Sequence, residues 1–159
     1  MTIAYVALGA NLGDPANTLN AAIAMLKSLT NSRLTASSSL YRTAPVGLHN
    51  QPDFINAVVA LETQLPPAAL LQQLFAVEAK FGRIRSVKNA PRTLDLDLLL
   101  HGDALCNDPQ LTLPHPRMHL RAFVLAPLAE IAPEILIPGH GMVSDMLAIC
   151  AEQKIERLP

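Results

Sequence analysis

The stretch 93–100 constrains the fold more than any other part of the chain, because leucine and aspartate alternate along it. Side chains alternate between the two faces of a β-strand, so the leucines at positions 94, 96, 98 and 100 are predicted to share one face. Asp95 and Asp97 are then predicted to share the opposite face, with their Cα atoms about 7 Å apart. The stretch is therefore predicted to be a strand with one apolar and one acidic face.

Apolar periodicity and turn residues along the rest of the chain predict the order β-α-β-β-α-β, followed by two helices. The predicted strands are residues 3–8, 34–41, 54–62 and 93–100. The predicted helices are one that begins at Pro15, one that is opened by Pro66 and Pro67 and ended by Gly82, and two more at about 117–131 and 143–151. This order is that of the ferredoxin-like fold. It predicts an α+β protein with a four-stranded antiparallel sheet and helices on both faces, in three layers.

The composition limits the class of protein. The chain has 159 residues, half of them hydrophobic, which predicts a single domain spanning residues 1–159 with one sizeable core. The net charge of −1 gives no electrostatic reason to bind nucleic acid or an anionic membrane. Cys106 and Cys150 are far apart and are expected to be reduced thiols. With no secretory signal pattern and no apolar run of membrane-spanning length, we expect a cytoplasmic protein, and a monomer.

The two aspartates are candidates for a metal site. Ionised carboxylates side by side repel each other unless a cation lies between them. Their hard oxygen atoms favour Mg²⁺ or Mn²⁺ over zinc. The alternative is an exposed strand face with two solvated acids, although aspartate is depleted in strands and here two share one face.

Basic residues are concentrated around the acidic strand. Six of the 12 lysines and arginines fall between positions 83 and 121, and His115 lies between two prolines in the same region. Guanidinium groups match phosphate oxygens, so a metal–polyphosphate complex between the carboxylates and the arginines would neutralise both. The alternative is a solvated basic surface. No Walker A or GxGxxG pattern is present, so bound phosphates are expected to be held by side chains and metal.

A second candidate site combines a stiff loop at 43–47 with one strand. Phe54 and Asn56 are two residues apart and are predicted to share a strand face. An aromatic ring that stacks and an amide that reads a donor–acceptor edge suit a flat heterocycle. A core phenylalanine and a turn-end asparagine are the alternative.

The stretch from Lys88 to Leu99, with its P-R-x-x-D-x-D pattern and two following aliphatic residues, resembles the signature of 6-hydroxymethyl-7,8-dihydropterin pyrophosphokinases. The resemblance extends to residues 9–12, 41–43, 51–56 and 113–118, and so to nearly the whole chain. It implies the ferredoxin-like fold. It also implies transfer of the β,γ-diphosphate of ATP to the hydroxymethyl group of the pterin in folate biosynthesis, giving AMP and the dihydropterin diphosphate.

The resemblance further implies a role for individual residues. Two Mg²⁺ ions would be held by Asp95 and Asp97, and the catalytic residues would be Asp97, Arg83 and Arg92. The implied ATP-binding residues are Glu78, Arg83, Arg85, Arg92, Leu98, Thr112, His115 and Arg121. The implied pterin-binding residues are Thr43, Ala44, Pro45, Val46, Phe54, Asn56 and Phe123.

Two other classes stay open at this point. Another two-metal phosphotransferase or a nuclease would use the same carboxylates, but a nuclease would want a continuous basic track. A non-catalytic binding module is compatible with a ferredoxin-like sheet, but an RNA-binding sheet would show aromatic RNP motifs that this chain lacks.

Overall fold

The predicted strands form one antiparallel sheet in the computed structural model, which describes residues 1–45, 50–82 and 93–159. Its principal elements are β1 (Thr2–Ala10), α1 (Pro15–Leu26), β2 (Ser32–Ser37), β3 (Tyr41–Thr43), β4 (Phe54–Thr63), α2 (Pro67–Lys80), β5 (Asp95–His101), β6 (Cys106–Asp108), β7 (Leu111–Leu113), a 3-10 helix (Met118–Leu120), α3 (Ala122–Ile131), β8 (Leu136–Ile137), β9 (Gly141–Met142), α4 (Val143–Ile149) and β10 (Glu156–Arg157). None of the helices in these described ranges combines the length and apolar character needed to cross a membrane.

The strand order confirms the predicted fold. Strand β1 pairs with β4 on one side and with β5 on the other, and β2 and β3 both pair with the far edge of β4. The spatial order β5-β1-β4-β2 is that of a split βαβ fold, with all neighbouring strands antiparallel. The short β10 extends the sheet beyond β3.

The second predicted strand, residues 34–41, is wrong as one continuous element. It is split into β2 and β3 at Ser38, whose side chain replaces the backbone in the pairing with β4. The Ser38 hydroxyl accepts from the Val58 amide at 2.9 Å, while the Ser38 amide donates to the Val58 carbonyl at 2.9 Å. Because the Ser38 side-chain oxygen replaces a main-chain carbonyl as the acceptor, the strand is interrupted without leaving the buried Val58 amide unpaired.

Two clusters of buried side chains lie on the two faces of the sheet, as the three-layer prediction requires. The first packs α1 and α2 on Val6, Leu8 and Leu96, and the second packs α3 and α4 on Val58 and Leu100. Helix α3 begins at Ala122, later than the predicted helix at 117, because a separate 3-10 turn precedes it.

The prediction that Leu100 shares a face with the leucines at 94, 96 and 98 is wrong, because β5 contains a β-bulge. Val6 pairs with Leu98 and Tyr5 pairs with Leu100, so Leu99 is the extra residue. A bulge of one residue reverses the alternation of side chains beyond it. The three earlier leucines therefore lie in the first cluster, whereas Leu99 and Leu100 both lie in the second.

Glu130 of α3 ties the second helical layer to the edge of the sheet. Its carboxylate accepts hydrogen bonds from the Ser39 amide and hydroxyl at 3.0 Å and from the Tyr41 hydroxyl at 2.7 Å, and Arg157 lies 3.5 Å away. Burial alone would raise the pKa of Glu130, but these hydrogen bonds and the Arg157 charge outweigh it and lower the pKa. Burial and the neighbouring Glu130 raise the pKa of Tyr41 to about 12.

We expect Glu130 to make stability depend on acid pH. Since its folded-state pKa is depressed, its contribution is present above the unfolded-state value of about 4.5 and is lost as pH falls through the folded-state pKa. Urea unfolding of Glu130→Gln should show a deficit against wild type at pH 7 that shrinks below about pH 4.5. The exposed Glu134→Gln is the matched control. A deficit of Glu130→Gln that is constant from pH 7 to pH 3 would contradict this assignment.

Candidate active site

One register line across the sheet brings the two predicted subsites together. Gly9 in β1 pairs with Asn56 in β4 and with Asp95 in β5. At the spacing of neighbouring strands, the Asn56 and Asp95 backbones lie about 10 Å apart. A Cβ atom on Gly9 would lie 3.2 Å from Oδ1 of Asn56, so a glycine at this position lets the Asn56 amide lie close to β1.

Asp95 and Asp97 lie on the face of the sheet that carries α3. Asp97 pairs with Ala7, which packs on the second cluster, and no register shift separates it from Asp95. Both residues are partly exposed. Within the described residues, no group of three or more histidine, cysteine, aspartate or glutamate side chains could hold a metal. The two carboxylates offer oxygen ligands, and such ligands fit a cation such as Mg²⁺, which keeps several waters and takes further oxygens from substrate phosphates.

His115 lies beside the acidic strand because the bulge in β5 holds it there. Its amide donates to the carbonyl of Leu99, the extra residue of the bulge, at 2.9 Å. Its Nδ1 accepts from the amide of Arg117 at 3.2 Å, so the neutral ring carries its proton on Nε2.

Electrostatics connect His115 with the other charged residues of this face. Burial is the largest cause that lowers the pKa of His115, to about 4, and the charge of Arg121 lowers it further. The charge of Asp95 acts in the opposite direction, and that of Arg117 lowers the pKa slightly. The ring is therefore neutral at pH 7 and presents an N–H donor among charges of both signs.

Arg121 and Phe123 are in contact at the beginning of α3. The guanidinium carbon of Arg121 lies 5.4 Å from the centre of the Phe123 ring, within the range of a cation–π interaction. The residue predicted to bind the triphosphate and the residue predicted to stack on the pterin are thus direct neighbours.

Two predicted ATP contacts, Leu98 and Thr112, differ in burial, and their roles stay predictions. The Leu98 side chain is buried in the first cluster, on the face opposite to the carboxylates, so a ligand on the carboxylate face could reach only its main chain. Thr112 is exposed in the small hairpin formed by β6 and β7.

Glu78 supports the acidic strand from within the core. It is 2% exposed, and its carboxylate accepts from the amide of Leu96, the residue between the two aspartates, at 2.7 Å. The described contact of Glu78 is therefore with the main chain of β5, and its predicted contact with the nucleotide stays a prediction.

Removing the Glu78 carboxylate should destabilise the protein. Glu78→Ala leaves the Leu96 amide without this acceptor, and we expect the free energy of unfolding to fall by about 2 kcal/mol. Glu78→Gln keeps an acceptor oxygen and should lose less. Urea denaturation checks both, with the exposed Gln72→Ala on the same helix as control. Equal losses in the alanine and glutamine variants would contradict the role of this hydrogen bond.

The predicted pterin site lies at the other end of the register line. Asn56 is buried, and its amide nitrogen donates to the Thr43 hydroxyl at 3.0 Å. Phe54 pairs with Thr43 across β3 and β4. It lies two residues before Asn56 on β4, so the two side chains are on the same face of the strand. Ala44 and Pro45 continue the chain from β3.

Asn11 is a residue of this region that sequence reasoning missed. It is 1% exposed, and its amide nitrogen donates to the Gln51 side chain at 2.8 Å and to the Pro52 carbonyl at 3.0 Å. Asn11 therefore fastens the segment before β4 to the end of β1. Its place in the stretch 9–12 that carries part of the resemblance was the only signal in the sequence.

Several predicted residues lie outside the described ranges. They are Val46, Arg83, Arg85, Lys88 and Arg92. Their roles stay predictions.

The α+β fold carries two carboxylates, a neutral imidazole and a guanidinium in one region, which are the side chains expected of a phosphate-transferring enzyme. Residues 5–133 match the profile of the 7,8-dihydro-6-hydroxymethylpterin-pyrophosphokinase family. The chain belongs to this family, which confirms the resemblance inferred from its sequence.

Curated relatives support the same assignment over nearly the full length. The chain is 46% identical over 155 residues to the 2-amino-4-hydroxy-6-hydroxymethyldihydropteridine pyrophosphokinase of Pseudomonas aeruginosa, covering 98% of this chain and 96% of the relative. It is 40% identical over 158 residues to the enzyme of the same name from Haemophilus influenzae, covering 99% of both chains.

Solved structures show the same fold. A crystal structure of HPPK-DHPS in complex with substrates superposes on 95% of this chain with a TM-score of 0.74 at 13% identity. This chain spans 43% of the length of that two-part protein. The HPPK-DHPS of Plasmodium falciparum gives a TM-score of 0.73 at 14% identity, with 42% of its length covered.

Proposed function

We propose that the face of the sheet carrying Asp95, Asp97, His115 and Arg121 binds Mg²⁺ and ATP, and that the Asn56 end of the same face binds the pterin. The reaction follows from family membership. The chain is an ATP-dependent pyrophosphokinase that acts on 6-hydroxymethyl-7,8-dihydropterin in folate biosynthesis. The hydroxymethyl oxygen forms a bond to the β-phosphorus and gives up its proton. The bond between the β-phosphorus and the oxygen that bridges it to the α-phosphorus is broken, and AMP leaves with that oxygen.

The shared register of Asn56, Gly9 and Asp95 is the observation that carries this proposal. In-line transfer requires acceptor and donor to be held in fixed relative positions. Asn56 and Asp95 lie on the two strands that flank β1, so the sheet would fix the separation between an amide that reads the heterocycle and a carboxylate that binds the cation. Gly9 adds no side chain between these two groups, and a Cβ atom there would crowd Oδ1 of Asn56 at 3.2 Å.

The carboxylates would hold Mg²⁺, in two ions as in the resembled family, against the phosphate oxygens. When bound, Mg²⁺ would neutralise phosphate charge and hold the attacking and leaving oxygens in line. His115 would donate its Nε2 proton as a hydrogen bond to a phosphate oxygen, and Arg121 would add a guanidinium contact. We propose that Asp97 accepts the hydroxyl proton of the acceptor, and that Arg83, Arg85 and Arg92 complete the phosphate site, with Arg83 and Arg92 acting in catalysis.

The acceptor site would read the pterin edge with Asn56 and the main chain of residues 43–46. The Thr43 hydroxyl orients the Asn56 amide through the 3.0 Å hydrogen bond. Phe54 and Phe123 would stack on the two faces of the ring.

An assay of AMP release with ATP, Mg²⁺ and the hydroxymethyl dihydropterin tests the function. We expect AMP only when all three are present, and one dihydropterin diphosphate for each AMP. ADP in place of AMP would show that the transferred group is wrong. Analogue binding without AMP release would show a chain that binds but does not turn over.

We also propose that residues 1–159 act as one domain, as a monomer in the cytoplasm. The two clusters on either side of a single sheet support one cooperative unit. Light scattering coupled to gel filtration should give the 17.1 kDa of one chain. A mass twice as large would contradict the monomer.

A further inference from the structure

Gln153 makes a two-point bridge across the backbone of Arg121. Its side-chain oxygen accepts from the amide of Ala122 at 2.9 Å, and its side-chain nitrogen donates to the carbonyl of Leu120 at 2.7 Å. One carboxamide thus bonds the peptide groups immediately after and immediately before Arg121. The bridge joins residues that are more than 30 positions apart in the sequence.

Local structure holds this segment only weakly without Gln153. Arg121 is in an extended conformation between the 3-10 helix and α3, with φ −120° and ψ 110°. Helix α3 begins there without a side-chain cap, and the Arg121 amide makes a long hydrogen bond of 3.4 Å to the Met118 carbonyl. The first amides of a helix need an acceptor from outside the helix, and Gln153 supplies one.

Gln153 itself is fixed by the end of α4. Its amide donates to the Cys150 carbonyl at 3.0 Å, and the Cys150 side chain is buried in the second cluster. The Cys150 thiol also approaches the His119 carbonyl at 3.8 Å. The last turn of α4 therefore provides a rigid base from which the carboxamide reaches the Arg121 segment.

We infer that Gln153 is a positioning residue, which holds the Arg121 backbone so that the guanidinium points at the triphosphate. The inference rests on the proposed function of Arg121. A carboxamide meets this requirement because it offers a donor and an acceptor in one plane. Helix α3 itself does not depend on the bridge, since Ala122, Leu125 and Leu128 are buried in the second cluster. Phe123, on that helix, should keep its place without Gln153.

Binding of α,β-methylene-ATP with Mg²⁺, measured by calorimetry, tests the inference with Gln153→Met, Arg121→Ala and the double variant. The methionine keeps the length of the side chain and removes both hydrogen bonds. We expect Gln153→Met to weaken analogue binding about fivefold to tenfold while the KM for the dihydropterin stays within about twofold. Glu152→Ala, at the exposed neighbouring position, should bind the analogue like the wild type.

The double variant separates positioning from general stabilisation. If Gln153 acts through Arg121, the double variant should bind no worse than Arg121→Ala alone, because there is no guanidinium left to position. An additive loss of affinity in the double variant would overturn the positioning role. So would unchanged analogue binding by Gln153→Met when Arg121→Ala binds weakly. Unchanged binding by Arg121→Ala would instead overturn the proposed role of Arg121 at the phosphates.

Discussion

Asp97→Ala is expected to lower the rate of AMP release by about 10³-fold or more while the fold is kept. Asp97 is partly exposed on the α3 face, so we expect its truncation to be tolerated by the fold. The rate is expected to fall for two reasons. The variant lacks a carboxylate that would hold the metal against the phosphates, and it lacks the proposed acceptor of the hydroxyl proton. Chromatography of AMP under saturating ATP and dihydropterin measures the rate, and thermal unfolding measures the fold.

Two further variants separate the effect of the position of the carboxylate from the effect of its charge. Asp103→Ala removes an exposed carboxylate after the end of β5, away from the register line, and should leave AMP release unchanged. Asp97→Asn keeps the shape and removes the charge, so it should require much more Mg²⁺ for half-maximal rate. AMP release by Asp97→Ala at more than a tenth of the wild-type rate, with a normal fold, would contradict the metal assignment.

Asn56→Asp should reduce kcat/KM for the dihydropterin by about 10³-fold, because a site built to hydrogen-bond a substrate edge rejects a wrong donor–acceptor pattern strongly. The aspartate replaces the donor nitrogen of the amide with an anionic acceptor of the same shape. The Thr43 hydroxyl can reverse its role and donate to the new carboxylate, so the local structure is kept. Steady-state kinetics with varied dihydropterin measures the effect.

The same variant should leave ATP binding nearly unchanged. Asn56 and Asp95 are separated by a whole strand, so affinity for α,β-methylene-ATP should change by less than about threefold through the added charge. Asn20→Asp, at an exposed position of α1 on the opposite side of the sheet, makes the same chemical change outside the site and should leave both parameters as in the wild type. A tenfold loss of analogue affinity with an unchanged KM for the dihydropterin would reverse the assignment of the two subsites.

The fold was predictable because its main elements are local patterns. The Asp14 side chain accepts from the Asn17 amide at 3.3 Å and Pro15 opens α1, as the sequence predicts. The alternation at 93–100 correctly placed both aspartates opposite the leucines at 94, 96 and 98. Once four strands and two helices are in the split βαβ order, handedness and short connections leave few alternatives for the topology.

The departures come from interactions between distant residues. Nothing near Ser38 indicates that its hydroxyl will replace a carbonyl opposite Val58 and split the strand. The bulge at Leu99 depends on the partner strand β1, which lies more than 90 residues earlier. The Gln153 bridge joins the end of the chain to the beginning of α3. Hydrophobic periodicity depends only on residues that are close in sequence, so it could not predict the strand break, the bulge or the bridge.

The candidate site divides in the same way. Residue types and spacing were sufficient to select Asp95 and Asp97, since two acids on one strand face are unusual. Asn11 was missed because a buried asparagine in a β–α turn has no distinctive pattern; its partners at Gln51 and Pro52 appear only after folding. The electrostatic link among His115, Arg121 and Asp95 likewise needed the tertiary structure.

The bulge at Leu99 divides β5 into two parts, in which the alternation of side chains between the two faces is set separately. Before it, the strand faces are set by the pairing of Asp95 with Gly9 and Asp97 with Ala7; after it, by the pairing of Leu100 with Tyr5. Sequence drift in the second half can thus remodel the packing under α3 without rotating the carboxylates. Deleting Leu99 would restore regular alternation and remove the carbonyl that receives His115, so the histidine would be displaced even though every charged residue was still present. We therefore expect this face of the sheet to tolerate substitutions around the bulge better than a change in the length of β5.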